Sequence, residues 1–159
     1  MDVKIKTKGL MVDAIMEIVD GVILVTPVAD IDMKEKEGPI TERVKSYGDA
    51  CKELGREPYD EKKLLELGLT KNDIAYQKMV VIVESLNEGW KPDVCDKNVC
   101  RWYPWFRPNG SPGSFAFDDS YYAYESANAG SGSRLALKSQ ELADYCGEQF
   151  VELWKEMLL

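Results

Sequence analysis

The sequence predicts an α+β protein: a small antiparallel sheet packed against two longer helices, plus an N-terminal β-hairpin. Three observations predict it. Residues 12–27, VDAIMEIVDGVILVTP, set Asp20-Gly21 between two apolar runs, the second rich in β-branched residues. Asp and Gly tolerate the positive φ that a tight hairpin turn needs. Residues 71–87 and 140–157 carry apolar side chains at helical spacing, each segment behind a capping residue. Between these helices lie 10 of the chain's 16 aromatic residues, within 90–124, a composition suited to strands.

Taken in order, the hairpin strands are expected at 12–19 and 22–26. Pro27 ends the second, because it cannot donate to a ladder. Residues 28–39, VADIDMKEKEGP, are charged and turn-rich. The expected division is a hairpin element over 1–30, a linker over 31–39 and an α+β domain with an aromatic core over 40–159. Within that domain, Ser46 followed by Asp49 resembles a capping box and opens a short helix over 47–54, stopped by Gly55. A second short helix over 60–67 ends at Gly68. Thr70 with Asp73 caps the third, 71–87, whose MVVIV centre is apolar on most sides and therefore belongs deep in the core.

Asn109-Gly110 and Pro112-Gly113 place a loop between 101–106 and 114–117, which can pair as a second hairpin. YYAY (121–124) and RLALK (134–138) are further strand candidates, joined by ESANAGSGS. Ser139 caps the last helix, which carries Leu142, Cys146, Phe150, Leu153 and Met157 on one stripe with Trp154 beside it. This helix and the third are expected to cover the sheet. Gly147 weakens a helix interior by about 1 kcal/mol relative to Ala; close packing against an aromatic ring would explain it. Residues 99–117, VCRWYPWFRPNGSPGSFAF, are the expected packing centre, each large buried ring contributing on the order of 1.5–3 kcal/mol.

Composition narrows the chemistry. The 159 residues carry 20 basic and 28 acidic side chains, a formal charge of −8, spread along the chain with no basic patch. Such a chain is repelled by phosphate backbones. There is no His, which removes Ser-His-Asp and Cys-His catalysis and every His-containing zinc site. No run approaches the roughly 18 apolar residues of a membrane span, and the N-terminus lacks a continuous apolar signal core. The expected location is the cytoplasm, where Cys51, Cys95, Cys100 and Cys146 stay as thiols.

Several groups invite a functional reading. Cys95 and Cys100 have knuckle-like spacing, but a zinc site needs two more ligands, and Cys51 and Cys146 read as small core residues. Asp118-Asp119 could hold a metal, joined by Asp93 and Asp96 if that loop folds back. Adjacent carboxylates on an extended chain point to opposite faces, so a polar strand end is the better reading. AGSGSRL (129–135) lacks the G-K-[ST] ending of a phosphate loop. Arg101, Trp102, Tyr103, Trp105 and Arg107 are the candidate binding residues. They suit a protein contact, with single-stranded nucleic acid through 101–107 as the alternative. No catalytic residue, metal or cofactor is assigned.

Four segments resemble a known group. ITERVKSYGDACKELG (40–55), AYQKMVVIVESLNEGW (75–90), RWYPWF (101–106) and SRLALKSQELADYCGEQFVELW (133–154) are similar, as an ordered set, to a family of uncharacterised proteins. That family is encoded by phages, prophages and mobile elements of Bacteroides-type gut bacteria. This chain departs from it where YPWF runs directly into RPNGSPG, in place of longer and more variable insertions. The family carries no established activity, so no catalytic residue is carried over. It has no cysteine motif before YPWF, so Cys95 and Cys100 look like local variation. The expectation is a non-catalytic accessory protein that works through contact with an unidentified protein partner, with nucleic acid and membrane disfavoured.

Overall fold

A computed structural model describes residues 2–7, 10–19, 22–27, 38–93, 96, 98–108, 114–123 and 134–159, with the backbone alone before residue 38. The chain divides into two compact units, Met1–Gly38 and Pro39–Leu159.

In the first unit, β1 (Asp2–Thr7), β2 (Leu10–Val19) and β3 (Val22–Pro27) run antiparallel in the order β1-β2-β3. Thr7 stands opposite Leu10 and Val19 opposite Val22. β1 is an element beyond the two-stranded hairpin. Its sequence, DVKIKT, alternates polar and apolar residues, the period of a half-buried strand. The Asp20-Gly21 turn and most of the 28–39 linker lie outside the described residues.

The second unit opens with four helices: α1 (Ile40–Arg43), α2 (Tyr47–Glu53), α3 (Glu61–Glu66) and α4 (Lys71–Leu86). Each helix after α1 starts where a side chain answers the orphan N–H groups of its first turn. Ser46 Oγ accepts from the Asp49 N–H, and the Asp49 carboxylate accepts from the Ser46 hydroxyl and the Lys45 N–H. Asp60 accepts from the Lys63 N–H. Thr70 and Asp73 form the full reciprocal box, Asp73 Oδ2 accepting from the Thr70 N–H at 2.8 Å. The Ser46 hydroxyl and the Thr70 hydroxyl hold the Asp49 and Asp73 carboxyls below the usual carboxylate range.

α4 is the axis of the core. Ile74, Ala75, Met79, Val81, Ile82, Val83 and Leu86 are buried along it, and it packs against α2 on one side and the chain's final helix on the other. Its end is built with care. Asn87, 3% exposed, donates from Nδ2 to the Ala136 carbonyl at 2.8 Å and accepts at Oδ1 from the Lys138 N–H at 3.0 Å. Glu88 follows at φ 48°, a left-handed conformation unusual outside Gly. From there its carboxylate reaches Arg43 at 2.7 Å and Lys138 at 3.0 Å. Arg43 also pairs with Glu53. The exposed Glu88 pairs contribute about 0–1 kcal/mol each; the buried amide of Asn87 matters more.

β4 (Arg101–Pro108) and β5 (Phe115–Ala123) form a two-stranded antiparallel sheet, followed by α5 (Gln140–Gln149) and α6 (Val151–Leu158). α5 packs across both strands. Several expectations change here. The third helix, α4, packs chiefly on α2 and α6 and not on the sheet. Residues 121–123 continue β5 instead of forming a strand of their own, and 134–138 is not a strand. Leu137 alone bridges to Trp102, through Trp102 N–H to Leu137 O at 3.0 Å and Leu137 N–H to Trp102 O at 2.9 Å. The next position along that edge of β4 is Pro104, which has no N–H to continue the ladder. In the other direction, Ser139 is already the N-cap of α5, accepting from the Leu142 N–H.

The last helix is broken. Phe150 leaves helical geometry at φ −111°, ψ 23°, where α5 ends and α6 begins. The Trp154 indole N–H donates to the Cys146 carbonyl at 3.2 Å, competing with the Phe150 N–H, whose bond to the same oxygen is stretched to 3.3 Å. A side chain inserted into the ladder is a recognised cause of a kink. It also changes the stripe: Leu142, Cys146, Phe150 and Trp154 are buried, while Leu153 and Met157 are only partly so. A further change concerns the core, which among the described residues is mainly aliphatic and centred on α4. Of the largest fully buried side chains among the described residues, only Arg101 comes from 99–117.

Gly147 sits where α5 meets the hairpin. A Cβ there would lie 2.2 Å from Cδ2 and 2.5 Å from Cε2 of the Phe117 ring, and 3.0 Å from Pro104 Cβ. The expected aromatic contact is present. Gly147→Ala gains about 1 kcal/mol of helix propensity and loses about 1–3 kcal/mol to overpacking. The expected net result is a lower urea midpoint, and the loss shrinks in a Phe117→Leu background. Asn87→Ala leaves a buried carbonyl and a buried N–H unanswered and lowers unfolding free energy by about 2–4 kcal/mol. Asn87→Asp keeps only the acceptor half and is expected to lose nearly as much. Equilibrium denaturation of Gly147→Ala, Asn87→Ala, Asn87→Asp, Phe117→Leu and the Gly147→Ala/Phe117→Leu double variant checks both statements.

Candidate functional site

The hairpin β4–β5 has two unlike faces, because successive strand residues point to opposite sides. Trp102, Pro104 and Phe106 alternate toward the helices. Phe106 meets Phe115, Phe117 and Trp154 at centroid distances of 4.8, 6.1 and 5.3 Å. Trp102 stands opposite Tyr122, their rings 5.3 Å apart, and packs at the margin of the core. The other face carries Tyr103 opposite Tyr121 and Trp105 opposite Asp119. Trp105 is 60% exposed and Tyr121 66%. Tyr121 stacks on Tyr122 at 5.5 Å, with the rings 10° from parallel.

The five candidate residues are therefore dispersed. Arg101 is fully buried, at 1% exposure. Trp102 and Tyr103 are half-buried, and burial pushes the Tyr103 phenol above its ordinary pKa while the Arg101 charge pulls it down. Trp105 and Arg107 are exposed. Arg107 Nε lies 2.6 Å from Asp118 Oδ2, so its charge is answered within the hairpin. The 109–113 turn, Cys95 and the 124–133 loop lie outside the described residues.

Asp118 and Asp119 fall inside β5, not after a strand. The register shifts between Trp105 and Phe106: Trp105 pairs with Asp119, Phe106 with Phe117, and Asp118 is the extra residue of a bulge. A bulge interrupts strict alternation, so both carboxylates line one depression instead of pointing to opposite faces. That depression, about 310 Å³, is bounded by Trp105, Asp118, Asp119, Ser120 and Tyr121. Asp119 Oδ1 accepts from the Ser120 N–H at 2.8 Å. The sequence names Trp105 but passes over Tyr121 and Asp119 as its neighbours. The signal was available in the register, since a hairpin with a bulge at 118 brings all three together.

Other candidates take structural places. Asp96 Oδ1 accepts from the Asn98 N–H at 2.8 Å, a local turn bond. Among the described residues, no three His, Cys, Asp or Glu side chains form a group that could hold a metal. Cys51, Cys100 and Cys146 are free thiols, and burial pushes the Cys146 thiol up to about 12. No helix among the described residues is long and apolar enough to cross a membrane. No protein-family model, curated protein or solved structure matches the chain.

The two tryptophans of the hairpin should behave as opposites. Trp102→Ala is expected to lower unfolding free energy by about 2–4 kcal/mol, as for a large side chain removed from a packed site. Trp105→Ala should fall within about 0.5 kcal/mol of the parent, as for a surface change. Acrylamide quenching of the native protein should drop more on Trp105→Phe than on Trp102→Phe.

Proposed function

We propose that this chain is a non-catalytic accessory protein of a phage or mobile element, and that it engages a protein partner through the outer face of β4–β5. The observation that carries this reading is the pair of large aromatics, Trp105 and Tyr121, exposed side by side on one sheet face beside a depression. Clustered exposed aromatic surface marks interaction sites more often than isolated apolar residues do, and Trp, Tyr and Arg dominate the energetics of such contacts. The absence of His in the sequence supports a role without acid–base chemistry. The resemblance of residues 40–55, 75–90, 101–106 and 133–154 supports the accessory role.

Single-stranded nucleic acid fits the same face less well. A stacking platform works inside a positive groove. Here Arg101 is buried, Arg107 is paired with Asp118, and the depression is lined by two carboxylates. A phosphate backbone laid across Trp105 would meet negative charge.

Affinity capture from a host lysate tests the proposal when run with surface variants. A protein recovered with the parent chain should be lost at least about tenfold with Trp105→Glu/Tyr121→Glu, a hot-spot effect. It should be retained with Leu67→Glu, a control at a residue 69% exposed at the end of α3. Recovery indifferent to the hairpin substitutions, or reproducible small-molecule turnover by the purified chain, would sink the proposal.

A further inference from the structure

We infer that the group seated on this face is an arginine side chain from a basic segment of the partner. Its guanidinium lies against Trp105 and Tyr121 and pairs with the Asp119 carboxylate. The inference rests on the contact reading above and adds the chemistry of the occupant.

Charge decides the sign. Among the described residues the depression has two carboxylates in its lining and no cation, and Arg107 answers Asp118 from the neighbouring strand at 2.6 Å. Asp119 gives one oxygen to the Ser120 N–H, and among the described residues no cationic side chain pairs with it. An apolar occupant would cover Asp119 and leave a desolvated charge, which is costly. An anionic occupant would be repelled. A cation gains from the carboxylate and from the negative faces of the two rings at once.

Size and shape decide the type of cation. About 310 Å³ lies at the lower end of the range for small-molecule sites, which suits one long side chain. A guanidinium is planar, weakly hydrated and able to stack on an aromatic while its edge bonds a carboxylate; an ammonium does only the second well. The Arg107–Asp118 pair shows a guanidinium held by this bulge already. The bulge itself also argues for recognition by a side chain and against strand addition. Charged residues and a bulge in an edge strand discourage backbone pairing, and Asp118 and Asp119 supply both to β5. The net charge of −8 would speed the approach of a basic segment.

The test is fluorine NMR on the full chain labelled with 5-fluorotryptophan, the Trp105 resonance being assigned by its loss in Trp105→Phe. The probes are four blocked hexapeptides: Gly-Arg, Gly-Lys, Gly-Leu and Gly-Glu, each repeated three times. The arginine peptide should shift the Trp105 resonance saturably, more tightly than the lysine peptide, with no shift from the glutamate peptide. Asp119→Asn should weaken arginine binding about fivefold to thirtyfold, the range for a lost cation contact at a partly covered site. Glu66→Gln, which removes the same charge elsewhere, should leave it unchanged. If Asp119→Asn fails to give dispersed fluorine resonances, Tyr121→Leu replaces it with the same expectation. Equal weakening by Glu66→Gln, or an unmoved Trp105 resonance with the arginine peptide, overturns the inference. A shift with the leucine peptide alone overturns the arginine and leaves the contact face standing. A shift on raising protein concentration without peptide overturns it in favour of a second copy of the chain.

Discussion

The amide of Asn87 stands where a strand would. Leu137 spends its own N–H and carbonyl on Trp102, so the neighbouring Ala136 carbonyl and Lys138 N–H face the other way. The Asn87 side chain, a planar donor–acceptor pair like a peptide group, satisfies both. A single buried residue thus joins the end of α4, the start of β4 and the approach to α5. Buried polar groups left unanswered cost more than a typical bond contributes, so this arrangement is specific: no apolar side chain can take its place. Everything downstream depends on it. One bridge at Trp102 ties β4 to this segment, and α5 begins three residues after Leu137 and packs across both strands of the hairpin.

The parts of this fold that rest on local chemistry are legible in the chain. Ser46, Thr70 and Ser139 announce the starts of α2, α4 and α5, because an N-cap is a contact between residues three apart. α2 and α3 stop at Gly55 and Gly68, both at positive φ, 63° and 90°. Gly147 is legible as well, since a glycine inside a helix needs a reason and the Phe117 ring provides it. The misreadings come from competition between distant groups. The pattern of residues 134–138 suits a strand, but whether it pairs is decided by Pro104, some thirty residues upstream. The stripe on 140–157 suits one continuous helix, but the Trp154 indole takes a carbonyl from it. The aromatic density of 99–117 suggests a packing centre, yet density does not say which face a ring takes. Alternation sends Phe106 to the helices and Trp105 to solvent.

The candidate site was legible in part for the same reason. Trp105 and Arg107 stand out by residue type. Their relation to Asp118, Asp119 and Tyr121 depends on a one-residue bulge, and a slip of one residue reverses every face of a strand. With regular pairing, Asp118 would oppose Phe106 on the helix side, a charge against the rings of Phe106 and Trp154. The bulge removes that conflict. It lets Asp118 turn out to Arg107 and leaves Phe117 opposite Phe106 beneath Gly147. The packing of α5 on the sheet and the acidity of the outer depression are therefore consequences of one irregularity.

The exposure of Trp105 and Tyr121 has no return in the folded chain itself. Burying a large ring contributes on the order of 1.5–3 kcal/mol, and rings 60% and 66% exposed collect only part of it. A Thr or Lys at either position would serve a solvent-facing strand as well, with less risk of association. Their neighbours point the same way. Asp118 is neutralised locally, while Asp119, one residue on and directly across from Trp105, pairs with no cation among the described residues. Two largely exposed rings beside a carboxylate with no cationic partner among the described residues leave apolar surface and negative charge to be met at the same place. A cation with an apolar stem meets both needs, because its stem covers ring surface while its head pairs with the acid.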